Sequence, residues 1–165
     1  MRTNKLLIPL FLFFVGLFLG VLSRLFDMHY PNLGKIFSQM SVWILLGTLI
    51  AIYSPTKKAA MRNILPFCIG MLLTYYATAM LTRGVYGWTF IIGWTIFAFL
   101  SPVMAYFAWM AKQHGLFSKI IGAGIVLVSI LSSVFLFDRL RLYDLVIDGM
   151  LIYFVFFKRI DRHES

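Results

Sequence analysis

Residues Lys5 to Phe26 read KLLIPLFLFFVGLFLGVLSRLF, and Leu6 to Ser23 carry no charge at all. An uncharged apolar run of about eighteen residues is long enough to cross the hydrocarbon core of a bilayer as a helix. It is too long for the apolar region of a signal peptide, and it ends in Ser23-Arg24-Leu25-Phe26 without a small-x-small cleavage site. It therefore reads as an uncleaved first helix. Five more apolar stretches follow, and the spans are expected at about 5–26, 36–53, 62–82, 88–111, 118–137 and 143–158. The expected fold class is all-α: a polytopic membrane protein with six transmembrane helices, forming one domain over residues 1–165.

Composition agrees with that reading. The chain is 61% hydrophobic and only 13% charged, whereas about a quarter of the residues of a soluble domain are charged. Short polar or turn-rich pieces separate the spans: Asp27 to Gly34, Ser54 to Lys58, Thr82 to Gly87, Lys112 to Leu116 and Asp138 to Arg141. The first of these holds Pro31 and Gly34 and is expected to break the helix.

A net charge of +9 would suggest nucleic acid in a soluble protein, but here Lys and Arg sit between apolar spans. They read as topology signals and headgroup contacts, so the expected partner is the lipid bilayer and not nucleic acid. One side carries Arg2, Lys5, Lys57, Lys58, Arg62, Lys112, Lys119, Lys158, Arg159 and Arg162. The other carries Arg24, Lys35, Arg83, Arg139 and Arg141. The excess places both termini in the cytoplasm. Asp27, Asp138, Asp144 and Asp148 lean to the outer side.

Polar and aromatic side chains gather toward that same outer side. The third span ends with Thr74, Tyr75, Tyr76, Thr78 and Thr82, and the fourth opens with Trp88, Thr89, Trp94 and Thr95. The second opens with Ser38, Gln39, Ser41 and Trp43, the fifth ends with Ser129, Ser132 and Ser133, and the sixth opens with Tyr143, Asp144 and Asp148. Ligand sites are concave, mostly apolar pockets with a few convergent polar groups. An outward-facing pocket lined by Asp148, Asp144, Tyr75, Tyr76 and Trp94 would account for the bias. An interfacial aromatic belt, with Ser and Thr bonded to their own helices, accounts for it without a ligand.

Asp148 is the sharpest single residue, because a carboxylate inside a span marks a functional site by default. It shares a helix face with Asp144, four residues earlier. The competing reading pairs it with Arg24, Arg139 or Arg141. Arg24 and Asp27, three apart, can also pair with each other. His29 and Tyr30 in the following loop are candidates for a pocket entrance.

Gly16-x-x-x-Gly20 is a small-xxx-small face that lets another helix approach closely, either within the chain or in another membrane subunit. Gly122 and Gly124 raise the same question. No metal-binding His-Glu-x-x-His, no nucleophile elbow and no phosphate loop occurs in the sequence. A lone Cys68 has no partner for a disulfide or a CxxC motif. The chain is therefore expected to be non-enzymatic, with no cofactor and no metal site.

Three stretches carry a resemblance: Gly16 to Asp27, then Ser41-Val42-Trp43 through Gly47 to Tyr53-Ser54-Pro55, then Gly70 to Tyr76. They resemble a family of small, uncharacterised six-helix membrane proteins of Gram-positive bacteria, classed as a domain of unknown function. That resemblance implies a bacterial plasma-membrane protein and no known activity. In size, helix count and outward polar half, the chain is also similar to the substrate-binding subunits of energy-coupling-factor vitamin transporters, which dock a partner through small residues of the first helix. Two functions are expected from all this. One is a small-ligand binding or transport component; the other is an interaction, immunity or regulatory subunit that uses Gly16 and Gly20 to contact another membrane protein.

Overall fold

The computed structural model describes residues 6–37, 39–82, 87–137 and 140–160. Among them every regular element is helical. In order these are α1 (Leu7–His29), α2 (Pro31–Phe37), α3 (Met40–Ile52), α4 (Lys57–Leu81), α5 (Trp88–Met110), α6 (Leu116–Phe137) and α7 (Leu142–Ile152), the last running into a π-helical turn at Tyr153–Phe157. Four of them are long and apolar enough to cross a membrane: α1, α4, Ile91–Met110 of α5 and Leu116–Phe135 of α6. At 1.5 Å per residue the 23 residues of α1 extend about 35 Å, against a hydrocarbon thickness of about 30 Å. The chain is all-helical and compatible with a membrane-embedded protein. Arg2, Lys5, Ser38, Arg83, Asp138, Arg139 and Arg162, named above from the sequence, lie outside the described residues.

Two expected spans take a different form. The stretch from residue 36 to 53 is split: its start belongs to α2, Gln39 is extended at φ −75° and ψ 136°, and α3 is only 13 residues long. The Asp27 to Gly34 segment, expected to break the helix, is mostly helical. Tyr30 alone interrupts it, because α1 continues to His29 and α2 starts at Pro31. Proline suits the first helical position, where its missing N–H would go unbonded anyway. Gly34 then lets α2 fold back onto α1, since a Cβ there would lie 2.7 Å from Asp27 Cα. The sixth stretch is helical over its expected length, but it widens near its end, where the Lys158 N–H bonds Tyr153 O at 2.9 Å.

Two prolines sit inside helices, Pro66 in α4 and Pro102 in α5. Proline has no N–H for the carbonyl four residues back. At Pro102 that carbonyl is Ala98 O, and it accepts instead from Ser101 Oγ at 2.6 Å. A hydroxyl one residue earlier thus supplies the missing donor, a repair typical of helices in lipid.

The chain forms two compact units, Met1–Phe37 with Met61–Pro102, and Ser38–Ala60 with Val103–Ser165. In the first, α1 is inside out by the standards of a soluble protein. Its buried residues are Pro9, Gly16, Gly20 and Ser23, while Leu10, Phe11, Phe14 and Phe18 are exposed. Small residues inward and large apolar residues outward is the pattern that lipid favours. The glycines receive α4: a Cβ on Gly16 would lie 2.2 Å from Phe67 O, and one on Gly20 would lie 2.3 Å from Met71 O. Gly70 returns the fit from α4, against Phe13 O at 2.5 Å. Thr74 Oγ1 then donates across the seam to Leu17 O at 2.7 Å.

In the second unit α3, α6 and α7 pack against one another. The buried face of α7 is Asp144, Ile147, Asp148 and Leu151, continued by Val155 in the π-turn. This is the three-and-four spacing of one helix face. The far end is tied down by Lys112, whose Nζ donates to Val155 O at 2.9 Å and to Lys158 O at 2.5 Å. Trp109 Nε1 donates to Ser54 O at 3.0 Å and joins the end of α5 to the turn after α3.

Candidate functional site

The candidate site grows from the register of α6 on α7. Gly122 leaves room for Val155, whose Cγ1 would lie 2.8 Å from an added Cβ. Seven residues further along α6, Ser129 Oγ donates to Asp148 Oδ1 at 2.5 Å, and Asp148 is seven residues back from Val155. The helices are therefore antiparallel and in step, and one more turn brings Ser133 level with Asp144. The buried face of α6 is Ser118, Gly122, Val126, Ser129 and Ser133, small enough for α7 to approach closely.

Asp144 is fully buried and Asp148 is only 4% exposed. Asp144 sits in the first turn of α7, and its Oδ2 accepts the backbone N–H of Arg141 at 3.0 Å, one half of a capping box. A carboxylate there is favoured by the positive end of the helix dipole. Arg141 sends its guanidinium elsewhere, donating to the Tyr143 hydroxyl and lying 5.7 Å from the centre of that ring. Gln39, ahead of α3, brings its Nε2 to 3.5 Å from the same hydroxyl. Asp144 Oδ1, Asp148 Oδ2, Gln39 Oε1 and Ser41 Oγ are buried with no hydrogen-bond partner among the described residues.

The first unit holds a second constellation. Tyr75 OH donates to Asp27 Oδ2 at 2.8 Å, tying α4 to the end of α1. Tyr76 packs edge-on to Tyr75 at 5.3 Å, and Trp94 packs edge-on to Phe97 at 5.8 Å. His29 bonds back to Leu25 O at 3.2 Å. Of the residues expected to line one pocket, Asp144 and Asp148 belong to one unit, and Tyr75, Tyr76 and Trp94 to the other. The partner received by Gly16 and Gly20 is α4 of the same chain, one of the two kinds of partner expected of that face.

The chain matches the model of DUF6518, a family of unknown function, over residues 2–141. It belongs to this family. The matched stretch takes in the Gly16/Gly20 face, Tyr75, Tyr76 and Trp94, and stops one residue short of α7, so family membership bears on everything except the helix that carries Asp144 and Asp148. No curated protein and no solved structure matches the chain. The likeness to energy-coupling-factor subunits is not shown by these comparisons.

Sequence reading missed the partners of three side chains that matter here. The Tyr75 hydroxyl is committed to Asp27, forty-eight residues earlier, and no local pattern marks such a pair. Gln39 and Ser129 stood among the outward polar residues, but nothing in their spacing linked them to α7.

Proposed function

We propose that this member of the family is a non-enzymatic component of a bacterial plasma membrane that takes a small ligand from the outer side into the α3–α6–α7 unit. On this reading the chain crosses the membrane six times with both termini in the cytoplasm, and the short α3 and α7 cross in a unit thinned around the site. The observation that carries the proposal is the pair Asp144 and Asp148, buried on the inward face of α7 with no Lys or Arg side chain paired to them among the described residues. Uncompensated carboxylates at such a depth are costly, and natural chains keep them where they handle a charged or hydrogen-bonding species. Because α4 packs on the Gly16/Gly20 face, we favour this reading over that of a subunit that docks through its first helix.

The test is native mass spectrometry of protein purified from its own membrane. A retained small molecule that disappears in Asp148→Asn is the expected result. A stoichiometric protein partner, retained equally by that variant, would instead favour the interaction reading. Cysteine-accessibility mapping at the two termini checks the topology: both should react from the cytoplasmic side only.

A further inference from the structure

The geometry points to a hard, oxygen-liganded cation as the species held against Asp144 and Asp148, an inference that rests on the placement of the site proposed above. The buried groups around these two carboxylates are rich in acceptors. Ser129 Oγ satisfies Asp148 Oδ1 and the Arg141 N–H satisfies Asp144 Oδ2, which leaves one oxygen on each carboxylate without a donor. Gln39 adds an independent observation: it is 1% exposed, its Nε2 reaches Tyr143 at the start of α7, and its carbonyl oxygen has no donor. Ser41, two residues on and fully buried, adds a hydroxyl oxygen in the same condition.

With both carboxyls ionised, the four unpartnered oxygens on α7 and at the start of α3 cannot all satisfy one another, because only the Ser41 hydroxyl has a hydrogen to give. A cation held between α3 and α7, which pack against each other, would give these oxygens the positive partner they lack and offset the repulsion between two carboxylates on one helix face. The donor set selects its class. Carboxylate, amide carbonyl and hydroxyl oxygens suit hard ions such as sodium or calcium. Among the described residues no group of three or more His, Cys, Asp or Glu gathers, and softer transition metals usually require nitrogen or sulfur ligands.

The experiment is thermal unfolding of the full chain in detergent, exchanged into choline chloride and then titrated separately with sodium chloride and calcium chloride at constant ionic strength. Saturable stabilisation by one of the two is expected, and which salt acts identifies the ion. Ser41→Ala, which removes one ligand and no charge, should raise the half-saturating concentration about tenfold, and Asp148→Asn should abolish the response. Should Asp148→Asn fail to fold, saturable uptake of radioactive sodium or calcium by the unmodified protein decides the matter. Equal stability in choline, sodium and calcium would overturn the cation. If a co-purified organic molecule were still lost in Asp148→Asn, the site would stand and only its ligand class would fall. If neither appeared, both would fall together.

Discussion

Two helix seams in this chain meet the same problem with opposite chemistry. Between α1 and α4, Gly16, Gly20 and Gly70 bring backbone against backbone, and the polar contacts across that seam described above, Thr74 to Leu17 O and Tyr75 to Asp27, are satisfied. Between α6 and α7 the small residues are Gly122, which faces Val155, and Ser129 and Ser133, on the stretch that faces Asp148 and Asp144. Helices in lipid gain nothing from hiding apolar surface from one another, so close van der Waals packing and hydrogen bonds must hold them. The glycine seam achieves this with inert groups. The serine–aspartate seam carries groups that packing alone does not require, and in the proposed function it is the seam that holds the ligand.

The hardest way to break the comparison is to fill the glycine seam. Gly20→Val places methyl groups where backbone already stands within 2.3 Å, and about 3 kcal/mol or more should be lost. Size-exclusion chromatography should show little monodisperse protein. Survival of this variant at normal yield would mean that the α1–α4 contact is not what holds the first unit.

The α6–α7 seam should answer in the opposite direction. Asp148→Leu replaces a costly carboxylate by apolar volume, and buried polar groups exchanged in this way are often neutral or stabilising by about 1–4 kcal/mol. Unfolding in mixed detergent micelles without added ligand should show equal or raised stability alongside lost binding. A large loss of stability would identify Asp148 as structural and remove the contrast between the seams.

Tyr75→Phe sharpens the same contrast within the first unit. It deletes the hydroxyl that donates to Asp27 at 2.8 Å and should cost about 1.5–3 kcal/mol, the range for a hydrogen bond to a charged group. Binding should be unaffected, since this hydroxyl already has a structural task. Reduced retention of the co-purified ligand would draw Tyr75 back into the site.

The smallest effect is expected from a pair of glycines two residues apart. Nothing lies within 4 Å of a Cβ added at Gly124, whereas Gly122 stands against Val155 and Phe156. Gly124→Ala should stabilise α6 by up to about 1 kcal/mol through helix propensity, and Gly122→Ala should give back that gain or more. Parallel melting curves of the two variants check the antiparallel register on which the level of Asp144 with Ser133 depends.

Much of the architecture was legible in the chain itself. Residues 6–23, without a charge, could become little other than a long apolar helix, and the four longest helices fall where uncharged runs predicted them. The short ones were misjudged because their limits come from contacts and not from composition. Gly34 and Pro31 read as a break, yet α2 forms since Gly34 fits against Asp27. Asp148 stood out because a carboxylate in an apolar run is rare, but its partner Ser129 lies on another helix.

The sequence by itself determined an all-helical chain, the small-residue face of α1 and the shared helix face of two carboxylates in α7, because length, apolarity and the 3.6-residue repeat are local properties of the polymer. Only the tertiary structure decided that α4 takes the glycines, that Tyr75 binds Asp27, and that Ser129 leaves half of Asp148 unsatisfied. Those outcomes depend on which helix faces meet and in what register, and register is set by the joint fit of side chains distant in the chain, such as Gly122 with Val155.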